Sequence, residues 1–194
     1  MKNLNLPNKL TIARILATPL FMLFLMLNFK GHYIVALFIF CAASLTDMFD
    51  GKYARNHNMV TDFGKFLDPL ADKMLTTAAL LGFIYKGIGI GVIWIVFIVL
   101  FREFLIASLR LVAVSSGGKV IAANKWGKFK TVSQMVAIIY AIAAEIFIEI
   151  IDIPLLTSIL HIFTDLFLWI SAVLAVISGV IYLADNLEFI DPSK

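Results

Sequence analysis

The stretch Ile88–Ser115, IGIGVIWIVFIVLFREFLIASLRLVAVS, decides the fold class. It exceeds the roughly 20 apolar residues that carry a helix across the hydrocarbon core of a bilayer. Its only charges are Arg102, Glu103 and Arg110. Such a run reads as a membrane span that is tilted or extends past the bilayer surface. Working outward, five more apolar runs read as spans: Thr11–Asn28, Tyr33–Asp50, Phe63–Tyr85, Thr131–Ile151 and Phe163–Asn186. Composition agrees with this reading. Of 194 residues, 61% are apolar and 15% charged, with a mean hydropathy of +0.96, against roughly 25% charged in an average soluble domain. A soluble globular domain, a disordered chain and a partner role with nucleic acid are thereby excluded. The expected fold is all-α: a polytopic membrane protein of six transmembrane helices. A single transmembrane domain over residues 11–194 follows an amphipathic juxtamembrane segment over residues 1–10, MKNLNLPNKL, which would lie at the membrane surface. The lone cysteine, Cys41, allows no internal disulfide.

Basic residues orient the spans, because cytoplasmic loops carry an excess of Lys and Arg. Lys2, Lys9 and Arg14 stand at the amino-terminal end. Lys52, Arg55 and Lys65 stand around the second connection, and Lys119, Lys125, Lys128 and Lys130 around the fourth. The alternate connections hold only Lys30 and Lys86. This asymmetry predicts both termini in the cytoplasm, in agreement with an even number of spans.

Five of the thirteen acids, Asp47, Asp50, Asp62, Asp68 and Asp72, fall between positions 47 and 72. Carboxylates in or near spans are costly, and a functional site is the default reading. Asp47 and Asp50 are three apart and Asp68 and Asp72 four apart, so each pair shares a helix face. The short connection after Asp50 lets the two helices run antiparallel, and all four carboxylates can then converge at one depth near the cytoplasmic surface. Like charges packed so closely stay ionised only with a cation among them. An all-oxygen set suits Mg²⁺, Mn²⁺ or Ca²⁺, and a pair of such ions suits displacement at phosphorus. Gly51 and Ala54 would let a group approach the backbone closely, and Arg55 can hold a phosphate.

The pattern Asp47-x-x-Asp50-Gly51-x-x-Ala54-Arg55, eight residues, then Gly64-x-x-x-Asp68-x-x-x-Asp72 resembles the full signature of the CDP-alcohol phosphatidyltransferases, with every fixed position filled. The resemblance extends to chain length and the six-span layout. It implies an enzyme that displaces CMP from a CDP-linked lipid with an alcohol, in the cell membrane, with its active site facing the cytoplasm. It implies that Asp47, Asp50, Asp68 and Asp72 bind two divalent ions, Mg²⁺ or Mn²⁺, with Asp72 also the catalytic base. Gly51, Ala54, Arg55 and Gly64 would then lie against the cytidine diphosphate. It also implies a homodimer.

A second set of residues bears on the acceptor. Arg102 and Arg110 sit inside a span, and Lys125, Lys128 and Lys130 lie on the same cytoplasmic side as the aspartates. Arginines at that depth should face the bundle or a wet cavity, and a phosphate site for an anionic acceptor is the sharper reading. The segments Asn8-Lys9-Leu10-Thr11 through Arg14, Arg102-Glu103 through Arg110, and Trp126-Gly127-Lys128-Phe129-Lys130-Thr131 resemble the branch of the family that joins CDP-diacylglycerol to sn-glycerol 3-phosphate. Branches that use an inositol phosphate, serine or phosphatidylglycerol share the aspartates. A membrane prenyltransferase would carry two separated Asp-rich motifs of other spacing. A cation transporter would place acids near the midplane, on repeated halves. His32, His57 and His161 have no ligand-spaced partners and read as interface residues, while Glu145 and Glu149 suggest pairing with a base of a neighbouring helix or subunit.

Overall fold

The computed structural model describes residues 5–56, 61–115, 125–151 and 153–186, with all their side chains except those of residues 47–56, 62, 65, 66, 114 and 115. Six helices follow in order: α1 (Leu6–Met26), α2 (His32–Asn56), α3 (Asp62–Lys86), α4 (Val92–Ser115), α5 (Lys125–Ile150) and α6 (Pro154–Ala184). Among the described residues there is no strand. The protein is an all-helical polytopic membrane protein. Helices α1, α4, α5 and α6 are long and apolar enough to cross a bilayer. In α2 the apolar part is the shorter stretch His32–Thr46, and α3 opens on Asp62, Lys65, Asp68, Asp72 and Lys73. The charges in these two helices lower their mean hydropathy, and half of them, Asp47, Asp50, Arg55, Asp68 and Asp72, belong to the aspartate motif.

Local sequence explains the helix ends. Helix α1 starts at Leu6, with a proline in its first two positions and Asn5 as an extended cap. Residues 6–10 are therefore continuous with the first span. Proline suits this place because the first helical N–H groups have no intrahelical partner. Pro154 does the same for α6, which begins well before the expected Phe163. Thr61 caps α3, its hydroxyl accepting the Gly64 N–H at 3.1 Å. Gly87 ends α3 at φ +69°, a left-handed conformation that glycine adopts without strain.

The helices pack mainly as α1 against α2 and α3, and α5 against α6, with α4 on α6 and α2 on α5. In a bilayer, close van der Waals contact drives such packing, and small residues permit it. Ala137, Ala141 and Ala144 on α5, and Ser171, Ala172, Ala175 and Ser178 on α6, are all buried. Gly82 does the same on α3, where a side chain would collide with Leu25. Phe21 and Phe40 meet with ring centroids 5.4 Å apart. Large apolar side chains such as Phe38 and Leu111, each more than 70% exposed, form the outer wall, where lipid tails rather than water would cover them.

One end of the bundle is tied by polar contacts. Glu149 accepts the Gly31 N–H at 3.0 Å, and Glu145 lies 3.5 Å from His161. Lys86 donates to Leu27 O and to Asn28 Oδ1, and His32 Nδ1 is 3.1 Å from Phe24 O. Asp165 accepts the Ile90 N–H at 2.7 Å. Glu145 and Glu149 thus find their partners within the chain.

Candidate active site

At the other end, α1 packs its first turns on the start of α3. The Asn8 side chain lies against the Thr61 hydroxyl, at 3.0 and 3.1 Å. Gly64 sits beneath it, and a Cβ there would stand 2.9 Å from Asn8 Oδ1. The glycine therefore lets α1 approach α3. One turn along, Thr11 Oγ1 donates to Asp68 Oδ1 at 2.8 Å. Thr11 is 1% exposed, so the hydroxyl holds one carboxylate oxygen from the protein side while Asp68 stays open to the outside. Arg14, one turn further, is 2% exposed and donates from Nε to Ala43 O at 3.2 Å. Ala43 lies one turn before Asp47 on α2, so Arg14 sets the α2 end of the motif against α1. A charge this deep is tolerated only with hydrogen-bonding partners.

Asp72 follows Asp68 by one turn and lines a cavity of about 1440 Å³ bounded by α1, α3, α4 and α5. Lys73, Arg102, Arg110, Lys128 and Lys130 also line it, so five cations face two carboxylates, Asp72 and Glu103. Of the five residues expected to hold an acceptor phosphate, Arg102, Arg110, Lys128 and Lys130 share this cavity. Lys125, the first residue of α5, is exposed and does not line it. Among the described residues no group of three or more His, Cys, Asp or Glu stands close enough to hold a metal. Asp47, Asp50, Gly51, Ala54 and Arg55 lie on α2 with their side chains outside the described set.

Glu103, which the sequence shows as one of the three charges inside the span, is the organising residue of the cation cluster. Glu103 on α4 receives Lys130 Nζ at 2.8 Å, Arg102 Nη1 at 2.9 Å and Lys73 Nζ at 3.1 Å. Arg110, seven residues along α4 from Glu103, donates from Nε to the Tyr182 hydroxyl at 3.1 Å and lies over that ring. Arg102 also donates from Nη2 to Ser178 Oγ at 2.6 Å, its stem passing over Gly179, where a Cβ would be 3.2 Å from Arg102 Cγ. Three cations around one carboxylate leave a surplus of positive charge facing the cavity. That surplus favours a dianion such as a phosphate monoester. Lys73 follows Asp72 directly, which is the signal that could have drawn attention to it.

An all-helical membrane bundle whose cavity sets Asp72 beside a cation cluster suits phosphate-bearing molecules. The chain belongs to the CDP-alcohol phosphatidyltransferase family, whose model matches residues 4–180. Among relatives, it is 38% identical to the CDP-diacylglycerol–glycerol-3-phosphate 3-phosphatidyltransferase of Bacillus subtilis (strain 168), over 98% of this chain and 99% of the relative. It is 38% identical to a probable phosphatidylglycerophosphate synthase of Mycobacterium tuberculosis, over 95% of this chain and 82% of the relative. It is 37% identical to the CDP-diacylglycerol–glycerol-3-phosphate 3-phosphatidyltransferase of Rickettsia bellii, over 92% of this chain and 93% of the relative.

Proposed function

We propose that the protein transfers the phosphatidyl group of CDP-diacylglycerol to sn-glycerol 3-phosphate, giving phosphatidylglycerophosphate and CMP. One observation carries this reading: Asp72 and the Lys73–Arg102–Lys130 cluster line one cavity, so a base and a phosphate-holding set serve the same space. The names of the relatives support the choice of acceptor.

Asp72 accepts the proton of the attacking glycerol hydroxyl as the new P–O bond forms at the phosphatidyl phosphorus. A carboxylate needs only to take this proton in the transition state. The bond from that phosphorus to the bridging oxygen breaks, and CMP leaves with the electron pair. The cations around Glu103, with Arg110 and Lys128, hold the acceptor phosphate and so orient the hydroxyl. Gly51, Ala54, Arg55 and Gly64 form the bed for the cytidine diphosphate.

The residues present fit a divalent metal. The donors are carboxylate oxygens, and Thr11 orients Asp68 from behind as outer hydrogen bonds orient ligating groups. Asp47, Asp50, Asp68 and Asp72 would hold two ions, Mg²⁺ or Mn²⁺, which when bound neutralise diphosphate charge and polarise the phosphorus under attack. The distribution of basic residues supports a site on the cytoplasmic face of the cell membrane, six spans and cytoplasmic termini. The family resemblance supports a homodimer.

The test is CMP release by purified protein with CDP-diacylglycerol and each acceptor in turn. Turnover is expected with glycerol 3-phosphate and divalent metal, and none in EDTA. Turnover with inositol phosphate, serine or phosphatidylglycerol, and none with glycerol 3-phosphate, would overturn the acceptor assignment.

A further inference from the structure

One cavity residue has no part in the chemistry above. Gln134 on α5 lines the cavity and is 3% exposed. Its Nε2 is buried with no hydrogen-bond partner among the described residues. A buried amide donor left unpaired costs about 1–3 kcal/mol, so such a group in a substrate cavity calls for an acceptor atom brought by the ligand. Two other hydroxyls that line the cavity are engaged within their own helices. Thr76 Oγ1 donates to the Asp72 and Lys73 carbonyls at 3.4 and 3.3 Å, and Thr18 Oγ1 to Arg14 O at 3.0 Å.

Depth identifies the acceptor atom. Lys130 and Lys73 meet at Glu103, so α3 and α5 are level there. Both helices run inward from the phosphate-handling end. Gln134, four residues beyond Lys130 on the same helix, therefore lies about 6 Å deeper along α5. Below the phosphate layer, the cavity walls are apolar, with Met22, Ala78, Leu81, Val99 and Leu100. A phosphatidyl group bound with its phosphate at Asp72 and its tails in the bilayer places its ester carbonyls one glycerol unit below the phosphorus. That level lies between the charged layer and the apolar walls. The small acceptor, held by its phosphate among the cations, has no group to place so deep.

We propose that Gln134 is a specificity-determining residue for the donor lipid, its Nε2–H donating to an ester carbonyl of the diacylglycerol moiety. The inference rests on the phosphatidyltransferase reading for the donor and is independent of which alcohol accepts. It assigns the enzyme a preference for acyl over alkyl chains, because an ether-linked lipid has no carbonyl there.

The test measures binding of CDP-diacylglycerol and of its diether analogue, without acceptor, to wild type, Gln134→Met and Gln134→Glu. One buried hydrogen bond to an uncharged acceptor corresponds to a factor of about five to ten in Kd. Wild type should bind the diester that much more tightly than the diether. Gln134→Met keeps the side-chain length without the donor. It should weaken the diester to the level of the diether, melt no lower than wild type, and leave KM for the acceptor unchanged. Gln134→Glu should also lose the preference. Equal wild-type affinity for the two lipids would overturn the proposal, as would an unchanged preference in Gln134→Met or a rise confined to the acceptor KM. A lower melting point for Gln134→Met would show that the amide is structural and would equally overturn it. Diester-selective binding without turnover on glycerol 3-phosphate would sustain this inference while defeating the acceptor assignment.

Discussion

Replacing Glu103 by Gln removes the negative charge that Lys73, Arg102 and Lys130 share while keeping the shape of the side chain. The Lys130 and Arg102 side chains are 5% and 12% exposed and sit 2.8 and 2.9 Å from the same oxygen, Oε1. Lys73 is 44% exposed at 3.1 Å from Oε2, so water screens it and its share is small. The main loss is therefore at two buried cations. Removing one partner of a buried ion pair costs about 3–5 kcal/mol. The Gln oxygen still accepts one hydrogen bond, and Arg102 keeps its bond to Ser178, so the low end, about 3 kcal/mol, is expected. For a chain of this size that lowers the melting midpoint by about 6–12 °C, read by thermal unfolding of purified protein in one detergent at fixed ionic strength. Lys130→Met alone should also destabilise. The double variant should lose less than the sum of the singles, by about 1–2 kcal/mol, because the two side chains are in contact. Inorganic phosphate should raise the midpoint of Glu103→Gln more than that of wild type, since a dianion replaces the missing counter-charge. A midpoint for Glu103→Gln within about 1 °C of wild type, or strictly additive single effects, would refute the claim that Glu103 organises the cluster.

Asp72→Asn should retain the fold and lose turnover by about 10²–10⁴-fold, the range for a general base; wild-type kcat in this variant would remove Asp72 from that role. Thr11→Val removes the hydroxyl that holds Asp68 Oδ1, and should weaken apparent Mn²⁺ affinity about 10–100-fold, measured by titrating activity with metal. An unchanged metal dependence would make Thr11 purely a packing residue. Tyr182→Phe removes the acceptor of the Arg110 Nε–H bond, and should raise KM for the acceptor about five- to ten-fold with kcat nearly kept. An equal change in KM for the donor lipid would assign Arg110 elsewhere.

Some of this was legible before any tertiary structure. The apolar runs declare six helices because span length is a local property of the chain. The boundary shifts at Leu6 and Pro154 arise because a proline in the first helical positions starts each helix ahead of the expected span. The placing of Asp68 and Asp72 on one helix face follows from helical repeat alone, and the uneven distribution of basic residues is read directly from the sequence. The order of the helices around the cavity had no such signal, because the apolar faces of the spans look alike to a reader of hydropathy.

Residue type and spacing thus determined the membrane fold, the aspartate motif and the presence of cations at one end. Only the tertiary structure decided which charges meet. Glu103 takes Lys73 and Lys130 from two other helices, Arg110 turns to Tyr182, Thr11 reaches Asp68, and Gln134, which lines the cavity, keeps a buried amide donor without a partner among the described residues. Helical periodicity specifies neighbours along one helix. Partners across helices depend on relative depth and rotation, which close packing of small residues sets only when the bundle assembles.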